Sequence, residues 1–321
     1  MLYPLLALVC GLVILIWSSD RFVAGASALA RISGVPPLVI GIIVIGFGTS
    51  APELVVSATS SWQGNPGLAL GNAYGSNISN FGLILGLAAL IKPIRVQSGI
   101  LRRELPLLTL VTLISVAMLA NLDISRVNGV ILLLLFVGVM FWIVRQGLQQ
   151  PDDEILRGVL DETPPAENSI TWSVLILLLG LVFLVGSSRL VVWGAVGLAK
   201  LFGVGDLLIG LTVVAIGTSL PELASTLVAS RKGEDDLALG NLVGSNLFNT
   251  LGVVGIAGVI HPLGIQTEMI TRDLLVMTLL TVSLFAIGYG RHGHGRVNRF
   301  EGALLLCSYF GYLAWLVLPK I

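Results

Sequence analysis

Residues 41–80 read GIIVIGFGTSAPELVVSATSSWQGNPGLALGNAYGSNISN, and residues 210–249 read GLTVVAIGTSLPELASTLVASRKGEDDLALGNLVGSNLFN. The two stretches align without gaps at a constant offset of 169, and nineteen of the forty positions are identical. Outward from this block the register persists at Lys92-Pro93 and His261-Pro262, then at Arg103-Glu104 and Arg272-Asp273. Self-similarity at a fixed offset marks an internal repeat. Around the repeat lie ten apolar runs, at about 3–30, 36–60, 67–91, 104–121, 128–147, 170–199, 205–229, 236–260, 274–290 and 301–319. A helix crossing a bilayer needs about 20 mainly apolar residues. Five runs per half is an odd number, so two copies in one membrane must sit upside down relative to each other. The expected fold is an all-α polytopic membrane protein with ten transmembrane helices in two inverted-topology five-helix repeats. These are expected over 1–148 and 170–321, joined by a cytoplasmic linker over 149–169.

Composition agrees. Of 321 residues, 55% are hydrophobic and 11% charged, with zero net charge; a soluble domain carries about 25% charged residues. A nucleic-acid partner is disfavoured, because it requires a basic face to displace counterions. Cys10 and Cys307 lie far apart without metal-ligand spacing, which leaves them as packing or lipid-facing residues. No strand-like alternation separates the runs, which argues against an outer-membrane barrel. The first run has no basic residue ahead of it and is too long for a signal peptide, so it is expected to be a retained helix.

Loop charge sets the orientation. With the N-terminus outside, twelve Lys/Arg fall in cytoplasmic loops, and only Arg126, Lys200, Arg272 and Lys320 fall outside. The opposite choice inverts that ratio and violates the positive-inside rule. Both termini are therefore expected outside a cytoplasmic (inner) membrane. Asp20, Arg21 and Arg189 come late in their runs, at interfacial depth. The linker holds Pro151, Pro164, Pro165 and six acidic residues, and about 20 residues are too few for a domain core. It reads as a solvated connector. His292-Gly293-His294 reads as an ordinary solvated turn.

The repeat carries the chemistry. Gly48-Thr49-Ser50-Ala51-Pro52-Glu53-Leu54 returns as Gly217-Thr218-Ser219-Leu220-Pro221-Glu222-Leu223. Glu53 and Glu222 lie inside apolar runs, where an ionised side chain costs at least a few kcal/mol. No Lys or Arg occurs between positions 32 and 91 to pair with Glu53. Protonation or a bound cation is the natural compensation. Pro52 and Pro221 lack an N–H, so they release the carbonyls of Gly48 and Gly217 and loosen Thr49 and Thr218. On a continuous helix Thr49 and Ser50 share a face with Glu53. Carboxylate, hydroxyl and carbonyl oxygens are the ligands that hard cations select. A second surface matches: Asn72, Ser76 and Asn80 form a stripe at i, i+4 and i+8, repeated by Asn241, Ser245 and Asn249. One such stripe is ordinary helix-to-helix glue. Two stripes accompanying two intramembrane glutamates favour an ion site, with a purely structural role left open for Asn72 and Asn241.

At these residues the chain resembles the cation/calcium antiporter superfamily, and most closely its bacterial sodium/calcium exchanger family. The resemblance covers both Gly-Thr-Ser-x-Pro-Glu segments, both Gly-Asn-x-x-Gly-Ser-Asn segments and the ten-span layout. It implies that Glu53 and Glu222, with the carbonyls of Thr49 and Thr218, bind Ca2+. It further implies that Na+ uses oxygens around Gly46, Ser50, Ser76, Asn80, Ala215, Ser219, Ser245 and Asn249. Some prokaryotic members have Asp where this chain has Asn249, so the site here holds two carboxylates and no third. The resemblance implies no enzyme activity and no cofactor; Ca2+ and Na+ are substrates, and the lipid bilayer is the one further partner.

Electrostatics agrees with exchange, since two carboxylates balance one Ca2+ or two Na+ while an empty site keeps its charge in low dielectric. Small-residue patches on the first and sixth runs suit either sliding or plain close packing. Three rivals differ in observable ways. A cation channel has less need of a two-half site, an intramembrane hydrolase could use paired carboxylates as acid and base, and an antiporter of the same fold could couple to H+ or K+.

Overall fold

The computed structural model describes residues 2–64, 66–96, 103–149, 169–202, 215–264, 267–288 and 295–317. Nearly all of the linker, the His292-Gly293-His294 turn and the start of the run at 205–229 lie outside the described residues. The chain is mostly helical, as a backbone without water to bond must be. In order the helices are α1 (Leu2–Ser33), α2 (Pro37–Thr49), α3 (Ala51–Trp62), α4 (Gly67–Ile91), α5 (Glu104–Met118) and α6 (Arg126–Gln149). There follow α7 (Ile170–Leu201), α8 (Ala215–Thr218), α9 (Leu220–Lys232), α10 (Asp235–Ile260), α11 (Met269–Ile287) and α12 (Arg299–Val317). Six of the described helices (α1, α4, α6, α7, α10 and α11) are long and apolar enough to cross a membrane, and a seventh span results if α2 and α3 count as one.

The all-α expectation needs one correction, because two short antiparallel ladders occur. Strands β1 (Ile94–Val96) and β4 (Gly295–Val297) pair, as do β2 (Asp123–Ile124) and β3 (Leu263–Gly264). Proline chemistry explains where β1 and β3 start. Lys92 (φ −142°, ψ 122°) and His261 (φ −141°, ψ 116°) each precede a proline, which drives the backbone from helical to extended. Stretches too short for an alternation signal then satisfy their backbone groups by pairing.

The chain divides into two compact units, Met1–Thr49 with Gly138–Gly244, and Ser50–Val137 with Ser245–Ile321. Each draws on both halves of the sequence. In the first unit α1 and α7 pack through glycines. A Cβ on Gly11 would lie 2.8 Å from Val191, and one on Gly180 would lie 2.6 Å from the Phe22 backbone. Gly25 meets Leu177 at 2.7 Å, and Gly194 meets Leu8 at 2.7 Å. Contact positions rise along α1 as they fall along α7, so the helices run antiparallel. Shifting each residue by 169 converts Gly11–Val191 into Gly180–Phe22 and Gly25–Leu177 into Gly194–Leu8. Each contact is thus its partner's image under exchange of the two sequence copies. Leu5, Val9, Leu12 and Val13 of α1 are exposed, an apolar surface of the kind lipid covers. Cys10 and Cys307 are free and exposed.

The second unit repeats the exchange relation. Gly86 and Gly302 approach so closely that a Cβ on either would lie within 2.9 Å of the other's carbonyl oxygen. Gly255, the repeat equivalent of Gly86, meets Gly129 in the same way, with a Cβ on Gly129 lying 2.8 Å from the Gly255 carbonyl. Gly129 and Gly302 are each the fourth residue of their helix, α6 and α12. The two ladders are likewise exchanged. Caps fix these helix starts: Ser125 Oγ accepts from the Asn128 N–H (3.2 Å), while Asn298 and Glu301 accept reciprocally from each other's N–H (3.0 and 2.8 Å).

Candidate cation site

Both glutamate-bearing segments are helix starts. In the second unit α3 begins at Ala51 after Ser50 (φ −82°, ψ 1°), and in the first unit α9 begins at Leu220 after Ser219 (φ −90°, ψ 8°). Pro52 and Pro221 occupy the first turn, where a missing N–H costs nothing. The expected kink inside one helix is therefore a full break. Glu53 and Glu222 fall in the first turn of the new helices, where the helix dipole favours negative charge. Both are buried, at 0% and 1% exposure. The Ser50 and Ser219 hydroxyls do not cap these helices, although Ser-x-x-Glu is a capping-box pattern.

The break removes the helical basis of one geometric expectation. Thr49 closes α2 in the first unit, whereas Glu53 stands in α3 of the second, so i, i+4 spacing no longer decides which face they share. The Thr49 hydroxyl donates to the carbonyl of Ile45 (3.1 Å) and to Asn241 Oδ1 (3.0 Å).

Asn72 and Asn241 acquire a definite role. In the second unit Asn72 Nδ2 donates to the Glu53 carbonyl (3.2 Å) and to Ser57 Oγ (3.0 Å). In the first unit Asn241 Nδ2 donates to the Glu222 carbonyl (3.3 Å), Thr226 Oγ1 (2.9 Å) and Ser225 Oγ (3.0 Å). Ser57 and Thr226 occupy the same repeat position, so each unit clamps its glutamate-bearing turn with one design. The sequence reading missed Ser57 and Thr226; their signal was a hydroxyl preserved across the repeat four residues beyond each glutamate. Glycines at a repeat pair close these helices: Gly64 (φ +74°) and Gly233 (φ +83°) take the left-handed conformation.

The rest of the stripe is buried in the second unit, with Ser76 at 5% exposure and Asn80, Ser245 and Asn249 at 0%. Asn80 opens a π-helical turn, Asn80–Leu85, and Asn249 lies in another, Phe248–Val253. Such widened turns recur at functional sites. Asn80 Nδ2 donates to Asn246 Oδ1 (2.8 Å), and Asn77 Nδ2 donates to Thr250 Oγ1 (2.8 Å). Asn80 Oδ1 and both polar atoms of Asn249 have no hydrogen-bond partner among the described residues. Gly46 and Ser50 are buried; Thr218 is half-buried, and Ala215 opens α8. No cluster of three or more His, Cys, Asp or Glu occurs among the described residues. Carboxylate, amide, hydroxyl and carbonyl oxygens are donors that suit a hard cation and do not suit zinc.

Known proteins resemble the chain over nearly its whole length. The family described as sodium/calcium exchanger protein matches residues 3–145 and 172–318. CaxA of Alkalimonas amylolytica, a proposed antiporter, is 47% identical over 97% of this chain and 98% of its own. Inner membrane protein YrbG of Escherichia coli (strain K12) is 41% identical over 99% of this chain and 97% of its own. The sodium-calcium exchanger NCX_Mj, solved after soaking with zero Na+ and Ca2+, superimposes with a TM-score of 0.85. It is 30% identical to this chain, and the match covers 98% of this chain and 99% of that one.

Proposed function

The chain belongs to the sodium/calcium exchanger family, and on that premise we propose that it exchanges Na+ for Ca2+ across the cytoplasmic membrane by alternating access. Glu53 and Glu222 supply the charge of one shared cation site. The observation that carries this reading is the duplicated clamp, Asn72 on the Glu53 turn and Asn241 on the Glu222 turn. Each clamp takes its helix's first-turn carbonyl and leaves a buried carboxylate at the positive end of a helix. Two carboxylates neutralise one Ca2+ or two Na+, and either load removes the charge that makes an empty low-dielectric site costly to rearrange.

Neutral oxygens complete the coordination. The carbonyls of Thr49 and Thr218 join the glutamates on Ca2+, while Gly46, Ser50, Ser76, Asn80, Ala215, Ser219, Ser245 and Asn249 surround Na+. No cofactor or bond chemistry is required. The proposed architecture is ten spans in two inverted repeats, 1–148 and 170–321, with the 149–169 linker inside and the outer ends of α1 and α12 outside. The exchanged glycine contacts and ladders support the inverted relation, and the Lys/Arg asymmetry supports the orientation.

Liposomes loaded with Na+ and diluted into sodium-free medium with labelled Ca2+ test the proposal. Uptake is expected to require internal Na+ and to vanish in Glu53→Gln and in Glu222→Gln. Full uptake in either variant sinks the site. Uptake driven only by H+ or K+ gradients would replace the coupling ion.

A further inference from the structure

An asparagine can serve a cation only through its oxygen; its NH2 end is a pair of donors that repels one. A half-turn about the terminal bond exchanges the two, so a ligating asparagine needs something to hold it the right way round. In the second unit Asn80 is wholly buried, and its Nδ2 is engaged by Asn246 Oδ1 at 2.8 Å. Its own Oδ1 is then the atom left over, buried and without a hydrogen-bond partner among the described residues.

The repeat copy is arranged differently. Asn77 is the equivalent of Asn246, and Asn249 the equivalent of Asn80. Asn77 does not hold Asn249: its Oδ1, the atom that would accept, has no hydrogen-bond partner among the described residues, while its Nδ2 goes to Thr250 Oγ1 (2.8 Å) and faces Met277 Sδ (3.5 Å). Neither polar atom of Asn249 has a partner among the described residues. The two copies also differ in sequence at this point, because Thr250 stands where the other copy has Phe81. A hydroxyl exists in one copy only.

We infer that Asn246 is a positioning residue that holds Asn80 with its oxygen presented to the transported cation, and that Thr250 draws Asn77 away from the same duty toward Asn249. The inference rests on the cation-site reading above and adds to it an inequality between the two amide ligands. Asn80 is preset. Asn249 stays free to turn, offering oxygen to a bound cation and another orientation in its absence.

The test is Ca2+ titration calorimetry on the purified full chain in detergent, with thermal melting to verify folding. Asn246→Ala is expected to weaken Ca2+ binding about tenfold, the scale of losing an outer-shell partner of a metal ligand. In an Asn80→Asp background the same change is expected to cost less than about twofold, because a carboxylate carries oxygen on both arms and needs no orienting. A purely structural role for Asn246 would cost the same in both backgrounds, and that result overturns the inference, as does unchanged binding in Asn246→Ala. If Asn246→Ala does not fold, Asn246→Asp, which keeps the acceptor for Asn80 Nδ2, must bind Ca2+ at least as tightly as the parent, and weaker binding overturns the inference. Glu53→Gln is measured alongside. Loss of binding there sustains the site reading whatever Asn246 does, while full binding brings down both.

Discussion

Asn241 and Asn72 occupy one repeat position yet carry unequal loads. Among the described residues, Asn241 donates to Glu222, Ser225 and Thr226 and accepts from Thr49, whereas Asn72 serves Glu53 and Ser57 alone. Each buried hydrogen bond inside a membrane protein contributes about 0.6–2 kcal/mol. Asn241→Ala is therefore expected to lower stability by about 1–3 kcal/mol and Asn72→Ala by less. Both are expected to weaken Ca2+ binding, because the turn beneath each glutamate loses its anchor. Thermal melts and Ca2+ titrations of the two variants decide the matter; equal melting shifts would refute the unequal loads. At this scale much was legible in the sequence. The glutamates, the hydroxyl pairs and the stripes were visible because burial of charge in an apolar run needs an explanation. The direction of each amide was not, since it depends on a partner 166 positions away for Asn80.

Among the elements, the least legible feature was the break at Ser50 and Ser219. Ser-x-Pro-Glu is a good helix-start pattern, with proline in the first turn and an acidic residue following. The continuous apolar run on both sides concealed it, because hydropathy does not register where one helix stops and another begins. The ladders were hidden for a related reason: two or three extended residues after a pre-proline turn leave no periodicity to detect. The packing of α1 on α7, by contrast, is written in glycines. A Cβ on Gly180 would lie 2.6 Å from the Phe22 backbone nitrogen, while at Gly186, on the same helix, it would meet no described atom within 4 Å. Gly180→Ala must push apart two backbones, which costs about 1–3 kcal/mol, while Gly186→Ala is expected to be neutral or slightly stabilising. Detergent melting temperatures of the two variants test this. A Gly180→Ala protein as stable as the parent would mean that the helices are not held at this separation.

For the whole molecule, the proposed inverted repeats would have two equivalent ends, and an exchanger must still differ between its two sides. The first unit carries one such difference. Lys232 Nζ lies 2.7 Å from Asp20 Oδ1, Ser27 Oγ donates to Glu234 Oε1 at 2.6 Å, and Arg31 stands 3.9 Å from the same carboxylate. These ties join α1 to the end of α9. Shifted by one repeat, Asp20 becomes Arg189, Ser27 becomes Val196, Lys232 corresponds to Gln63 and Glu234 to Asn65. The opposite pairs can form neither ion pair. In the proposed orientation the loop after α9 is cytoplasmic, and the ties are then expected to favour closure at that end. The Lys232 and Asp20 side chains are 35% and 47% exposed, and partly exposed pairs contribute about 0.2–1 kcal/mol once solvent screening is counted. Removing both ties in Lys232→Ala/Glu234→Ala, about 2 kcal/mol at most, is therefore expected to raise the cytoplasm-open population by no more than about thirtyfold. The measurement is the ratio of half-saturating Ca2+ at the two faces, taken in inside-out and right-side-out vesicles of the same variant. Lower half-saturation at the cytoplasmic face than in the parent, by a margin that widens in low salt as the parent's ties strengthen, is the expected result. A ratio equal to the parent's at every salt concentration would mean that the ties are surface pairs without influence on which side opens, and that the asymmetry of transport resides elsewhere in the chain.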